Sequence, residues 1–196
     1  MPPDTRTRIV QAGAELMRRQ GYAATGIKQI VTRARAPFGS IYHHFPGGKE
    51  QLGTEAILVS GALYEQLIPA VFDPAPDPVA AVRSFFAGAA AQLRETGFED
   101  ACPIATIALE VSSSSEPMRL ACAEVFERWI AAAVPRFMAA GLGAERAREL
   151  VVAMLCALEG AFVLARAARD TEPLAVAGEL VATAAQRALA ESRGGR

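Results

Sequence analysis

Histidine and cysteine are scarce in this chain, and their placement argues against enzyme and metal sites. Its two histidines, His43 and His44, are adjacent, so they face different sides of a helix and are poorly placed to share a metal ion. Both lie far along the chain from every cysteine and from the serine run at 112–115, so no nucleophile has a nearby histidine base. The sequence also lacks a phosphate-binding glycine loop and metal-ligand spacing. We therefore expect no catalytic residues, no metal and no cofactor.

The patterns of a membrane or secreted protein are missing as well. No run approaches the roughly 18 uninterrupted apolar residues of a membrane span. The first residues lead directly into an amphipathic pattern without the apolar core of a signal peptide. The three cysteines are widely spaced, which is typical of reduced thiols in a cytosolic protein. We expect a cytoplasmic protein with no membrane partner, and because strand patterns are nearly absent, an all-α fold.

Positive charge is concentrated at the N-terminal end. Residues 1–53 hold eight cations and three anions, a net charge of +5, whereas the rest of the chain carries a net charge of −6. A basic head on an acidic body favours a nucleic-acid partner at one end of the molecule.

The basic region predicts three short helices. The first is expected over about Thr5–Gln20, with Asp4 as its N-cap and Gly21 as its stop. The second is expected to begin with Thr25 as its N-cap, and it carries Ile27, Ile30, Val31 and Ala34 on one face.

The third helix is expected to begin at Pro37, where a missing N–H costs nothing. Ile41 and Phe45 form an i, i+4 pair that points into a small core. The residues left to face outward are Phe38, Gly39, Ser40, Tyr42 and His43. Two short helices with polar outward positions on the second are typical of the helix-turn-helix, whose second helix enters the major groove of DNA.

The remainder predicts a larger helical bundle, which brings the expected total to about nine helices. A long helix is expected from Lys49 to about Phe72, followed by a break at Asp73–Pro78. Further helices are expected at about 78–96, 104–111, 116–140, 144–168 and 173–191. We divide the chain into a DNA-binding domain, 1–48, and an effector-binding and dimerisation domain, 49–196.

Three segments of the head carry a resemblance to a known family. The head resembles the TetR family of bacterial repressors in three runs, which are Thr25-Gly26-Ile27-Lys28-Gln29-Ile30, Gly39-Ser40-Ile41-Tyr42-His43-His44-Phe45-Pro46 and Lys49-Glu50. The chain is also similar to the subgroup of lincomycin-resistance repressors in three segments, which are Pro46-Gly47-Gly48-Lys49-Glu50, Ala101-Cys102-Pro103-Ile104-Ala105 and Leu109-Glu110. Members of that subgroup are generally released from DNA by aromatic or multidrug-type compounds.

The resemblance implies a set of DNA contacts. Phosphates would be bound by Tyr42, His43, Lys49 and Thr25, and base edges would be read by Pro37, Phe38 and Ser40. Lys28 is a further candidate for DNA, with a solvated surface lysine as the equal alternative. Gly39 would allow close approach to the groove. It also implies a homodimer in which the last two helices pair across a two-fold axis.

The family also implies a small-molecule effector in the body. Aromatic residues at helical spacing and a few polar groups are the expected lining of such a pocket. The candidates are Phe86, Gln92, Thr106, Glu110, Phe126, Trp129 and Glu159.

Two alternatives remain open at this point. One is a DNA-binding dimer without small-molecule control, whose body serves only for oligomerisation or a protein partner. The other is a small enzyme that uses Cys102 or the serine run.

Overall fold

The computed structural model describes residues 3–194, and within that range the chain forms ten α-helices and no strand, which confirms the all-α expectation. The helices, in chain order, are α1 Thr5–Ala24, α2 Ile27–Arg33, α3 Ser40–His44, α4 Gly48–Glu65, α5 Leu67–Phe72, α6 Pro78–Glu95, α7 Pro103–Val111, α8 Glu116–Ala139, α9 Ala144–Ala168 and α10 Glu172–Gly194. The long helix expected to reach Phe72 is divided at Gln66 into α4 and α5, which accounts for a helix beyond the expected nine.

Both ends of the first predicted helix are found where the sequence indicated. The Asp4 carboxylate accepts a hydrogen bond of 2.7 Å from the Thr7 N–H and so caps α1. Gly21 interrupts α1 with a φ of 84° and a ψ of 170°, a conformation open to glycine because it has no Cβ. A single helical turn, Tyr22–Ala24, follows this break.

Two predicted helix starts are wrong. Gly26, and not Thr25, is the N-cap of α2, and the Gln29 side chain accepts a bond of 2.8 Å from the Gly26 N–H. α3 begins at Ser40, and not at Pro37, because Pro37 opens a turn in which its carbonyl accepts from the Ser40 N–H at 3.0 Å.

The helices group into two compact units that do not follow a single cut in the sequence. Unit 1 contains the residues up to Tyr64 together with Cys102–Phe126, and unit 2 contains Glu65–Ala101 and the residues from Glu127 onward. Unit 1 therefore combines the three short N-terminal helices with most of α4, with α7 and with the first half of α8.

Within unit 1, α4 packs closely against the first half of α8. Glu50 accepts a hydrogen bond of 2.6 Å from the Ser115 hydroxyl at the start of α8. One turn further, a Cβ on Gly53 would lie 2.8 Å from the Met118 methyl group, so a larger residue there would displace the end of that side chain. The two helices run parallel in this unit, with successive contacts advancing together along both.

Unit 2 has its own apolar core, built from α6, α8, α9 and α10. Phe86 and Phe137 are among its largest buried side chains. α10 approaches α6 closely at Gly178, where a Cβ would lie 2.7 Å from that of Phe86. At the surface of the same pair, Arg83 binds both carboxylate oxygens of Glu179 at 2.8 Å.

Candidate nucleic-acid interface

The third helix presents its polar and aromatic side chains outward from two buried anchors. Ile41 and Phe45 are fully buried at 0% exposure. Tyr42 is 56% exposed, and His43 on the same short helix is also exposed. Ser40, at the first position of α3, is half-buried. The predicted anchors and the outward positions of Tyr42 and His43 are confirmed, whereas Ser40 is less exposed than predicted.

The exposed face of α3 is extended by neighbouring rings. Phe38, in the turn before α3, is 49% exposed, and its ring meets that of Tyr42 edge to face with centroids 6.2 Å apart. The rings of His43 and His44 lie edge to face at 4.8 Å. Such pairs restrict one another, so the surface is organised before any partner arrives.

Gly39 leaves the approach to this surface open. A Cβ built on it would meet no atom within 4 Å, so the backbone here is bordered by free space. That position suits close contact with a large partner.

The turn between α2 and α3 contains a left-handed residue. Arg35 has a φ of 49°, a conformation that costs a residue with a side chain roughly 1 kcal/mol or more. From α1, the Arg8 guanidinium donates a hydrogen bond of 3.1 Å to the Ala34 carbonyl beside it. This contact fixes the turn, and hence the direction of α3, against α1.

Several basic residues of the head serve the fold. Arg6 forms an ion pair of 2.5 Å with Glu55, and its guanidinium lies 5.3 Å from the centre of the Phe45 ring. Arg33 binds both carboxylate oxygens of Glu15, at 2.5 and 2.9 Å. These cations join α1, α2 and α4, so fewer than the eight cations of residues 1–53 are open to a partner.

Lys49, a predicted phosphate ligand, contacts two residues at the break in α1. Its ammonium lies 4.2 Å from the centre of the Tyr22 ring and donates to the Ala23 carbonyl at 3.5 Å. Burial lowers the pKa of Lys49, and the nearby charge of Glu110 opposes that effect. The group is half-buried at the first turn of α4, next to the end of α3.

The other predicted DNA residues divide by exposure. Lys28 on α2 and Pro37 before α3 are exposed. Thr25 is fully buried, and its hydroxyl donates to the Gly21 carbonyl at 2.6 Å. Because this hydroxyl closes the break in α1, it is turned away from solvent, and we withdraw it as a phosphate ligand.

The predicted effector residues fall in both units. Phe86, Gln92, Trp129 and Glu159 belong to unit 2, whereas Thr106, Glu110 and Phe126 belong to unit 1. Phe86 is only 2% exposed and lies in the core, and Trp129 packs on the same core. Gln92 on α6 is exposed.

Two of the polar effector candidates have partners within unit 1. The Thr106 hydroxyl donates to the Cys102 carbonyl at 3.0 Å, within α7. The Glu110 carboxylate accepts a bond of 2.7 Å from the Ala23 N–H, at the break in α1. Because its carboxylate is engaged there, we do not carry Glu110 into the effector pocket. A surface depression along α9 is lined by Glu145, Arg148, Glu149, Val152 and Ala153, and none of the predicted effector residues lines it.

Sequence reasoning missed the roles of Tyr22 and Glu110 in this interface. Tyr22 is 27 residues from Lys49 and Glu110 is 87 residues from Ala23. No local pattern links positions so far apart. The only local signal was Gly21, which marked the break that these side chains surround.

The geometry agrees with comparisons to known proteins. A family model described as bacterial regulatory proteins of the tetR family matches residues 9–56. A second, described as the C-terminal domain of LmrA/YxaF-like transcriptional regulators, matches residues 78–180.

Relatives match over nearly the whole chain. The HTH-type transcriptional regulator YxaF of Bacillus subtilis is 36% identical over 178 residues, which cover 91% of this chain and 93% of that one. The regulator LmrA of the same organism is 33% identical over 171 residues, which cover 87% and 91%. The crystal structure of regulatory protein TetR from Rhodobacter sphaeroides superposes with a TM-score of 0.79 at 25% identity, over 90% of this chain and 96% of that one.

These findings define a helix-turn-helix transcriptional regulator, and the chain belongs to the TetR family. Its C-terminal half is of the LmrA/YxaF-like kind. The family and these relatives are regulators of transcription and not enzymes, which removes the thiol- or serine-dependent enzyme as an alternative.

Proposed function

We propose that this regulator is a ligand-responsive repressor that binds a pseudo-palindromic DNA operator as a homodimer. A small aromatic or drug-like effector releases it. The observation that carries the DNA-binding part is the exposure of Phe38, Tyr42 and His43 around a helix anchored by the buried Ile41 and Phe45.

In this proposal α3 enters the major groove. Pro37, Phe38 and Ser40 face base edges, and Gly39 admits the backbone to the groove. Phosphates are bound by Tyr42, His43, Lys28 and Lys49. Base contacts specify the sequence, and phosphate contacts fix the register of the helix.

Dimerisation is supported by apolar side chains that unit 2 leaves exposed. On α9, Val163 and Leu164 are 60% and 62% exposed; on α10, Val176 and Leu180 are 52% and 67% exposed. The opposite faces of both helices are buried in the core of unit 2. Two helices that are apolar on both sides favour a second copy as the occupant of the outer face, giving a four-helix bundle.

The effector is proposed to bind the body of the protein, in the domain that begins at residue 49. Within unit 2, Phe86 and Trp129 are the aromatic candidates for the pocket lining, and Gln92 and Glu159 are the polar candidates. Thr106 and Phe126 belong to unit 1 and are not included. Effector binding favours a dimer whose two α3 helices are wrongly spaced for DNA. The effector therefore weakens DNA binding, and DNA weakens effector binding.

We propose a cytoplasmic location. Two helical stretches, Gly48–Phe72 and Ala144–Ala168, are long and apolar enough to cross a membrane by length and composition alone. The second contains α9, whose outer face the dimer proposal covers with protein.

Selection of bound fragments from a random DNA pool tests the proposal. The full-length protein should enrich a two-fold symmetric sequence whose half-sites lie about ten base pairs apart, or a multiple of that distance. A screen of aromatic and drug-like compounds should then yield one that releases the selected DNA. Enrichment without any releasing compound would favour a DNA-binding dimer that lacks small-molecule control.

Variants of two tyrosines sharpen this test. Tyr42→Phe removes a phosphate-binding hydroxyl and should weaken binding to selected and scrambled duplexes about equally. Tyr64→Phe is the matched control, since the Tyr64 hydroxyl accepts from Arg18 inside unit 1 and should leave DNA binding unchanged. A loss confined to the selected duplex would make Tyr42 a base reader.

A further inference from the structure

The break in α1 depends on a carboxylate supplied by a distant helix. Gly21 is not helical, so it interrupts the ladder of N–H to carbonyl bonds that would otherwise continue along α1. Two residues later, the Ala23 N–H donates to Glu110 Oε2 of α7 at 2.7 Å. Glu110 thus provides an acceptor to the turn that immediately precedes α2.

The fit around this carboxylate is close. A Cβ at Gly21 would overlap the Glu110 carboxylate, so glycine leaves the space that Glu110 fills. The carbonyl of the same Ala23 accepts from Lys49 at 3.5 Å. Ala23 is therefore held from one side by α7 and from the other by α4.

This clamp lies next to the helix-turn-helix. The Thr25 N–H donates to the Tyr22 carbonyl at 3.2 Å, and Gly26 then caps α2. Gln20 adds a bridge, since its amide donates to the Ala24 carbonyl and to the Gln29 side chain, both at 3.1 Å. A displacement of Ala23 would therefore move the start of α2, and α2 directs α3 through the turn at Arg35.

We propose that Glu110 is a positioning residue for DNA recognition, which holds the Ala23 turn so that α2 and α3 keep the orientation that reads the operator. This inference rests on the proposed DNA-binding function. The role requires an acceptor oxygen at the distance that the Glu110 side chain reaches, and it depends less on the negative charge. An isolated ion pair would require the charge, whereas a bond from a backbone N–H requires an acceptor at the right distance.

Two substitutions separate reach from charge. Glu110→Asp keeps the charge but shortens the side chain by one methylene, about 1.5 Å, which takes the oxygen out of hydrogen-bond range. Glu110→Gln removes the charge and keeps an oxygen at the same reach. Glu124→Asp and Glu124→Gln make the same changes at an exposed glutamate of α8 in the same unit.

Affinity should be measured for the duplex selected by the wild-type protein and for a scrambled duplex. Loss of the hydrogen bond from the Ala23 N–H predicts that Glu110→Asp weakens binding to the selected duplex about tenfold and changes the scrambled duplex less than about threefold. Glu110→Gln and both Glu124 variants should stay within about threefold of wild type on both duplexes. Circular dichroism and urea denaturation should show that all variants remain folded.

Three results would overturn the proposal. Retention of affinity by Glu110→Asp with loss in Glu110→Gln would assign the role to charge. An equal loss on both duplexes would assign it to general stability, and wild-type affinity in both variants would remove Glu110 from DNA recognition. Failure of the wild-type protein to select any sequence is a separate result, because it refutes the proposed function itself.

Discussion

At the scale of single residues, the positive charge of the head has two roles. Arg6 and Arg33 are paired with Glu55 and Glu15, and so they join helices to one another. Lys28 and Arg35 remain exposed. Two of the eight cations in residues 1–53 are therefore paired within the fold, so fewer than eight are available to DNA, and each of these should have a measurable effect on salt dependence.

Lys49 allows that effect to be measured. Lys49→Ala should reduce the slope of log affinity against log salt concentration by roughly one unit, because one phosphate contact and its released counterion are lost. Arg193→Ala, a change at an exposed cation near the end of α10, should leave the slope unchanged. Equal slopes for Lys49→Ala and wild type would remove Lys49 from the phosphate contacts.

The buried thiol of Cys122 makes a prediction about alkaline pH. The side chain is 2% exposed, and burial raises its pKa from 9.0 to about 11. The unfolded chain therefore loses this proton at a lower pH than the folded protein, so stability should fall as pH rises from about 9 to 11. Urea denaturation at pH 8 and pH 10 should show a smaller loss of stability in Cys122→Ala than in wild type. Identical losses would show that Cys122 does not contribute.

At the scale of helices, local signals predicted the elements better than their exact starts. Asp4 and Gly21 were found where local capping and backbone rules placed them. The predictions that Thr25 caps α2 and that Pro37 begins α3 were wrong, because Gly26 is the N-cap of α2 and α3 begins at Ser40. At Thr25 the reason is a local contact, because the Thr25 hydroxyl is held by the carbonyl of Gly21, four residues earlier, and is not free to cap α2.

The turn at Arg35 offers a stability test at this scale. Arg35→Gly removes the steric cost of the left-handed conformation and adds the smaller entropic cost of ordering a glycine. The free energy of unfolding should therefore rise by about 0.5–1 kcal/mol. Lys28→Gly, in helical backbone of α2, should instead lower it by about 1 kcal/mol. Chemical denaturation measures both, and a loss of stability in Arg35→Gly would show that the side chain of Arg35 contributes more than its backbone conformation costs.

At the scale of the whole molecule, the sequence indicated the all-α class and the basic head but not the grouping of helices. Amphipathic periodicity reports which face of a helix is buried, and it carries no information about which helix covers that face. Periodicity therefore could not predict that α7 belongs to unit 1 or that the Ala23 N–H donates to Glu110. The same limit applies to the effector candidates, which shared an amphipathic pattern and lie in two different units.

The proposed dimer makes a prediction at this scale. Leu164→Glu and Leu180→Glu place a charge on the exposed apolar faces of α9 and α10, and each should raise the dimer dissociation constant by more than about tenfold. Leu63→Glu is a matched control, because Leu63 on α4 is 67% exposed, as is Leu180. Sedimentation should show monomers for the first two variants and dimers for the control. Dimers in all three would place the interface elsewhere.

The open face of α3 is proposed to read DNA sequence, and selection from a random DNA pool by wild type and Ser40→Ala tests this role. The two proteins should enrich different sequences at one position of each half-site, while their affinities for their own selected DNA stay within about tenfold. Identical enriched sequences with a uniform loss of affinity, or no enrichment by the wild-type protein, would contradict the claim.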